Sequence, residues 1–203
     1  MPLQNRVDPW GRIFRSSARG TMMGNRGPAI HDDQQRIVRQ FRGSRWLACV
    51  LEFKGRRRKV MSPGLYTELF FLDEAVALAA GHRPCAECRR ERFNAFRKAW
   101  PFGRSLSAPE IDAELHHARV DSEGRKVTYK ARLDTLPDGC FVEMDDSSYL
   151  VRGDALLLWS PEGYAGKRER AGGAMVMVLT PQPTVACIRA GYAPSVHESA
   201  NAA

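Results

Sequence analysis

The chain has 203 residues, of which 43% are hydrophobic and 27% charged, a balance typical of proteins that bury a core. It has no run of 18 apolar residues and no apolar segment near its start, which argues against a membrane span and a secretion signal. We therefore expect a cytoplasmic protein without a membrane partner. A formal charge of +8 favours polyanionic partners, chiefly nucleic acid, through neutralisation of phosphates.

The first part of the chain predicts short strands. Residues 1–30 are rich in Gly, Pro and Arg, which indicates an irregular arm with one short strand. The segments "RIVRQF" (36–41) and "RWLACVLEFKG" (45–55) alternate or cluster apolar residues and predict two strands. A Pro-Gly turn opens "SPGLYTELFFL" (62–72), which predicts a further strand.

The hydrophobic period then changes from that of strands to that of helices. Asp73 suits an N-cap and Gly81 suits a C-terminal stop, so a helix is predicted between them. In 87–100, three aromatic residues at i, i+3 and i+7 predict one apolar face of a second helix. Ser107 and Glu110 form a capping box and predict the start of a third helix.

The last part returns to short apolar segments separated by Pro, Gly and Asp, a pattern typical of a small antiparallel sheet or barrel. Its predicted strands are 125–133, 140–145, 148–153, 155–161, 174–181 and 184–192. We predict an α+β protein with a boundary near Arg104. Residues 1–104 form a domain of short strands and two or three helices behind the irregular arm, and residues 105–203 form a helix and a β-rich subdomain.

The segment "GHRPCAECRR" (81–90) says most about function. Cys85 and Cys88 form a C-x-x-C pair just before a predicted helix, so both sulfurs reach one ion and the helix start favours thiolates. His82 is the nearest further candidate ligand. The remaining donors are distant in sequence, and only the fold can recruit them: His31, Cys49, His116, His117, Cys140, Cys187 and His197. The three cysteines of that set stand beside apolar residues and are interpreted as buried small hydrophobic side chains.

Three other interpretations of the cysteine pair stay open. A thioredoxin-like redox pair is disfavoured because the motif follows a predicted helix instead of lying near a βαβ pattern. A nucleobase deaminase shares the Pro-Cys-x-x-Cys pattern, but its upstream His-x-Glu is missing, since His31 has Asp33 at the third position. In a decayed, metal-free site the two cysteines would pack against Phe93 and Phe70.

The wider segment "ELFFLDEAVALAAGHRPCAECRRERF" (68–93) resembles the second half of the Ada-type zinc-binding domain. That domain is the metal-binding module of a methylphosphotriester-repair protein and is also appended to some nucleases. The shared pattern is a strand, a short helix, and Arg-Pro-Cys-x-x-Cys before another helix. The resemblance implies zinc binding by Cys85 and Cys88. His82 is the candidate replacement ligand, because the segment 59–71 lacks the first two ligands of the family. The methyl-accepting thiolate has no match either, so methyl transfer is not implied.

Two basic clusters flank this motif and indicate contacts with phosphates. We predict a zinc protein that associates with nucleic acid, DNA in preference to RNA, in DNA repair or processing. The metal would be structural, fixing the loop so that the arginine-bearing helix meets the backbone. The predicted phosphate contacts are Arg56, Arg57, Arg58, Lys59, Arg89 and Arg90.

Two further functions are weighed against this prediction. One is a metal-dependent nuclease that uses His116, His117 or His31. The Asn that follows the histidine pair of HNH nucleases is missing, and adjacent residues of a helix point about 100° apart. The other is a non-enzymatic module with a relic cysteine loop and a basic surface for an acidic protein. Whether any reaction is catalysed stays open.

Overall fold

The computed structural model describes residues 1–56, 59–101 and 106–202. Within these ranges the chain forms two six-stranded sheets and four α-helices, and the predicted α+β class is confirmed. The helices are α1 (Glu74–Ala79), α2 (Arg90–Lys98), α3 (Ala108–Arg119) and α4 (Gln182–Arg189). No helix in the described ranges combines the length and the apolar character needed to cross a bilayer.

The first sheet has the strand order β2-β1-β5-β3-β4-β6. Its strands are β1 (Gln4–Val7), β2 (Ile13–Arg15), β3 (Met22–Arg26), β4 (Trp46–Cys49), β5 (Leu69–Phe71) and β6 (Arg83–Pro84). β1 pairs in parallel with β5 and β4 in parallel with β6, and the other neighbours are antiparallel. The prediction of an irregular arm is wrong, because residues 1–30 form three strands and alternate side chains of β1 are buried. The segment 36–41 contributes only an isolated bridge between His31 and Ile37.

The predicted ends of α1 are confirmed. Asp73 Oδ1 accepts a hydrogen bond from the Val76 N–H at 2.9 Å, which caps the first turn. Gly81 has φ of +92°, the left-handed conformation with which many helices end. The chain then turns directly into β6, so α1 fixes where the segment with the cysteine pair begins.

The other predicted helix signals are confirmed too. The aromatic face of α2 and of the turn after it is buried, namely Phe93, Phe96 and Trp100. At the start of α3 the Ser107 N–H donates to Glu110 Oε2 at 2.7 Å, as the capping box requires. Local sequence signals therefore placed all three helices of this part of the chain.

The second sheet is antiparallel throughout, with the strand order β11-β10-β9-β8-β12-β7. Its strands are β7 (Tyr129–Arg132), β8 (Phe141–Met144), β9 (Ser147–Arg152), β10 (Ala155–Ser160), β11 (Gly163–Glu169) and β12 (Met175–Val178). Five of the six strands predicted after residue 124 are present, and β11 was missed. The sixth, 184–192, is wrong, since α4 covers most of it. Its buried residues Val185 and Ile188 are three apart, which fits one face of a helix.

The predicted boundary near Arg104 separates the two sheets along the chain but does not separate two cores. One hydrophobic cluster contains both Phe71 and Phe141, and the other contains both Leu78 and Val142. Each cluster thus joins residues from either side of the boundary. The two predicted subdomains share their interior.

Candidate metal centre

The parallel pairing of β4 with β6 brings two cysteines together. Leu47 lies opposite Arg83 and Ala48 opposite Pro84. The next residue in each segment is a cysteine. Cys49 is the last residue of β4, and Cys85 directly follows β6. The Cys85 N–H donates to the Ala48 carbonyl at 2.9 Å, which extends the pairing to this position.

A tight turn adds the third thiol. Cys88 follows Cys85 by three residues in the turn before α2, and the Sγ atoms of Cys49, Cys85 and Cys88 all lie within 4.8 Å of one another. Cys49 and Cys85 are buried, whereas Cys88 is half-buried, so the cluster lies just beneath the surface. Three sulfur atoms at this separation can hold one metal ion. The interpretation of Cys49 as a simple hydrophobic side chain is therefore corrected.

The thiols influence one another's ionisation. The Cys49 thiol donates to Cys85, and this hydrogen bond is the main reason why the pKa of Cys85 lies far below its usual value. The same hydrogen bond raises the pKa of Cys49. The Glu87 N–H also points at Cys85 Sγ, at 3.4 Å. The group thus stabilises one thiolate readily, and ionisation of all three thiols requires a cation among them.

His82 does not belong to the cluster, which corrects its prediction as third ligand. Its Nε2 accepts a hydrogen bond from Arg26 Nε at 3.3 Å, and its Nδ1 lies 3.2 Å from the Ala77 carbonyl. Burial, followed by the charge of Arg26, lowers the pKa of His82 well below its usual value, so the ring is neutral. With both ring nitrogens engaged and Trp46 and Phe71 packed on the ring, His82 is a core histidine.

The cluster has no fourth protein ligand among the described residues, because the group of neighbouring His, Cys, Asp and Glu side chains ends at three. The residues outside the described ranges carry no thiol, imidazole or side-chain carboxylate; they are Arg57, Arg58, Phe102, Gly103, Arg104, Ser105 and Ala203. A tetrahedral ion at this position would therefore take its fourth ligand from water or from another molecule.

Three residues of the predicted phosphate-binding set are exposed. Arg56 is exposed and forms an ion pair at 3.2 Å with Glu87, which lies in the turn between Cys85 and Cys88. Lys59 and Arg90 are also exposed. The predicted Arg57 and Arg58 lie outside the described residues.

Arg89 is not available to phosphates, which corrects its prediction. Its side chain is 8% exposed and its Nη1 donates to Glu74 Oε1 at 2.8 Å. The fully buried Glu74 also binds Arg92, at 2.8 Å, and accepts a hydrogen bond from the Tyr192 hydroxyl. Burial alone would raise the pKa of Glu74, but the hydrogen bond and charge of Arg89 lower it, so the carboxylate is ionised. Arg89 therefore fastens α2 to α1.

The histidines of the nuclease alternative do not lie in a metal-binding group within the described chain. His31 is buried, with its Nδ1 at 2.6 Å from Thr67 Oγ1. His116 packs edge-on against Phe41, and its Nδ1 lies 3.1 Å from Arg119 Nη2. His117 is exposed. These positions match core and surface histidines.

No protein-family model, curated protein or solved structure matches this chain. The resemblance to the Ada-type domain therefore stays a prediction. The segment 68–93, from which the resemblance was drawn, contains β5, α1, β6 and the start of α2.

The third cysteine is the functional residue that sequence reasoning missed. "LACV" around Cys49 has the composition of an ordinary buried strand. No local pattern distinguishes Cys49 from an ordinary buried cysteine, and Cys85 follows the dissimilar stretch Gly-His-Arg-Pro. Recognising it required the β4–β6 register, which pairs strands more than thirty residues apart.

Proposed function

We propose that this chain is a zinc-binding protein that associates with nucleic acid, DNA in preference to RNA, through the basic residues around the zinc site. The observation that carries the proposal is the group of three sulfur atoms within 4.8 Å of one another. Sulfur ligands select zinc, copper(I) or iron–sulfur clusters over hard cations. Zinc suits the site best because it is bound tetrahedrally by thiolates and undergoes no redox change.

In this proposal Cys49, Cys85 and Cys88 hold the ion as thiolates. The positive charge of the ion offsets the repulsion among three neighbouring thiolates, so that all three thiols can ionise together. It would also join β4 to the turn before α2, which fixes the position of that turn on the sheet. The chemistry it supplies is structural cross-linking with one coordination position left for an outside ligand.

The nucleic-acid part of the proposal is supported by the charges next to this site. Arg56, Lys59 and Arg90 are exposed, and Arg56 forms an ion pair with Glu87 in the turn between Cys85 and Cys88. A zinc ion that orders the turn would thereby order the cations that meet phosphates. Such contacts neutralise phosphates and release counterions, so affinity falls as salt rises.

Elemental analysis of the purified chain tests the metal. We expect about one zinc per chain, in line with a single thiolate site, and almost none in Cys49→Ala. The matched control is Cys187→Ala, which also removes a buried thiol but lies in the second core cluster and keeps its zinc. Wild-type protein that is folded and metal-free, with all three clustered thiols open to alkylation, would rule the zinc site out.

Binding to duplex DNA over a series of salt concentrations tests the second part. Lys59→Glu should weaken binding and reduce the dependence of log K on log salt. Lys167→Glu makes the same charge change at an exposed position of β11, on the second sheet, and should have much less effect. Equal effects of the two variants, or affinity that does not depend on salt, would contradict a basic surface at the cysteine site.

A further inference from the structure

A group of three basic side chains lies beside Trp46, at the end of β4 opposite to the cysteine cluster. Arg26 at the end of β3, Arg119 at the end of α3 and Lys126 just before β7 line a cavity of about 140 Å³, together with Trp46. Arg26 and Arg119 are 2% and 1% exposed. Trp46 precedes Cys49 by three residues on β4, about 10 Å at about 3.3 Å per residue. The cavity is therefore separate from the cysteine cluster.

None of these three cations forms an ion pair within the described chain; each is satisfied in part by neutral groups. Each of them donates a hydrogen bond to a backbone carbonyl: Arg26 Nη2 to Gly11 at 2.9 Å, Arg119 Nη1 to Gly81 at 2.8 Å and Lys126 Nζ to Ala79 at 2.6 Å. Burial lowers the pKa of Arg26 to about 9 and that of Lys126 to about 7, which reflects the free-energy cost of a buried cation without a counter-charge.

The acidic residues whose charges reach this group are bound to other arginines. Asp8 accepts from Arg12 Nε at 2.7 Å. Asp112 accepts both Nε and Nη2 of Arg83, at 2.8 and 2.7 Å. These two pairs are neutral overall, so the cavity keeps the positive charge of Arg26 and Arg119, to which Lys126 adds its own when protonated.

The guanidinium groups are held in place before any ligand arrives. The guanidinium carbons of Arg26 and Arg119 lie 4.2 and 4.1 Å from the centroid of the Trp46 ring. Such cation–π contacts fix the planes of both groups. Arg119 Nε is buried and has no hydrogen-bond partner in the described part of the protein. The Arg119 guanidinium thus keeps one N–H that no acceptor in the described protein uses.

We propose that this cavity binds a phosphoryl group, as the dianion of inorganic phosphate or of a phosphomonoester. Guanidinium groups match the oxygens of phosphate, and the lysine adds a point charge. A cavity of about 150 Å³ admits benzene with its six heavy atoms, so a phosphoryl group with its five fits here. Arg12, two-thirds exposed, and Gln40, exposed, line the cavity and place its mouth at the surface.

This inference does not depend on the zinc site or on the basic rim around it. The ligand would enter from the side of Arg12 and place its phosphoryl oxygens among Arg26, Arg119 and Lys126. Any remainder of a phosphomonoester would lie at the mouth, where Trp10 and Phe41 also line the cavity. The dianion would supply the counter-charge that the three cations lack.

Calorimetric titration of the full-length protein with inorganic phosphate tests the site. We expect saturable binding, weakened about tenfold or more in Lys126→Gln because one charged hydrogen bond is lost. Arg125→Gln is the matched control: it removes one positive charge at the neighbouring, exposed residue, which is paired with Asp121 and Glu123. Its affinity should change less than about twofold, since surface charges act weakly.

The proposal would be overturned by a lack of saturable binding at millimolar phosphate, or by an equal loss of affinity in Lys126→Gln and Arg125→Gln. Acetate, a monoanion, should bind more weakly than phosphate, and equal affinity would also contradict it. Further titrations identify the source of the phosphoryl group. Competition by a nucleoside 5′-monophosphate but not by the nucleoside indicates a small ligand, whereas tighter binding of a 5′-phosphorylated than of a 5′-hydroxyl oligonucleotide indicates a nucleic-acid end.

Discussion

Three thiols gather at the carboxyl ends of β4 and β6, and a cavity lined by two arginines and a lysine lies at the amino end of β4, beside Trp46. The two groups face opposite problems. Neighbouring thiols can share protons and stay largely neutral, whereas buried guanidinium groups keep their charge at neutral pH. The thiols therefore need a metal ion to become charged together, and the two guanidinium groups need an anion because they are charged already.

The residues between the two ends show how the protein handles charge when it supplies both partners. Arg83 of β6 and Asp112 of α3 are 3% and 6% exposed and form a bidentate pair. That pair is complete within the chain. The cation cavity lies next to it but lacks the acidic half, and this contrast marks the cavity as a binding site rather than a structural ion pair.

The largest loss of stability is expected when the buried pair of Arg83 and Asp112 is broken. Asp112→Ala leaves the Arg83 guanidinium buried without its partner, and breaking such a pair costs about 3–5 kcal/mol. Urea unfolding measures this free energy. Asp134→Ala, which breaks the exposed pair with Arg132, serves as the control and should change stability little. Equal effects of the two variants would remove the distinction between a complete buried pair and a surface pair.

Removal of zinc should lower stability less than this, because both hydrophobic clusters persist without the metal. A chelator is expected to lower the thermal midpoint of the wild type. Cys88→Ser should start from the lowered midpoint and be insensitive to the chelator. Cys187→Ala should lose stability by creating a core cavity yet keep its response to the chelator. A chelator effect that survives in Cys88→Ser would place the metal elsewhere.

Gly81→Ala should disturb the cavity of Arg26, Arg119 and Lys126 and leave the cysteine cluster unchanged. The position has φ of +92°, and an added Cβ would lie 2.7 Å from Arg119 Cδ. We expect a loss of about 1–2 kcal/mol from the left-handed backbone, together with weaker phosphate binding as Arg119 shifts. Zinc content should not change. Loss of zinc with phosphate binding intact would reverse the assignment of this glycine to the cation cavity.

The buried, neutral His82 makes the stability of the folded protein depend on pH. Because its pKa in the folded state lies well below 6.5, only the unfolded state gains its proton as the pH falls below about 6.5, and stability drops. The contribution cannot exceed about 1.4 kcal/mol per pH unit. Unfolding between about pH 7 and 5.5 should show a shallower decline in His82→Gln than in the wild type. Parallel curves would show that His82 takes up its proton equally in the folded and unfolded states.

The smallest effect distinguishes the two arginines at the start of α2. Arg90→Gln should reduce the slope of log K for DNA against log salt by about one unit, without loss of stability. Arg89→Gln should destabilise the protein by leaving Glu74 with fewer partners and should leave the slope unchanged. The reverse pattern would mean that Arg89, not Arg90, faces the nucleic acid.

Local signals predicted much of the fold. Asp73, Gly81 and the Ser107–Glu110 capping box act within a few residues of the chain, and each was placed correctly. The segment 184–192 was misassigned because a short run of apolar residues fits a strand or a helix equally well. One strand was predicted in residues 1–30 where three are present, because the burial of these strands comes from pairing with distant partners such as β5.

By itself the sequence determined the α+β class, the ends of α1, the start of α3 and the pair Cys85 and Cys88, because these depend on residues that are neighbours along the chain. The tertiary structure alone decided that Cys49 joins the pair, that His82 and Arg89 are buried structural residues, and that Arg26, Arg119 and Lys126 converge on one cavity. The physical reason is the same in each case. Strand register and helix packing set the distance between side chains that are far apart in sequence, and the charge and burial of a site follow from those distances.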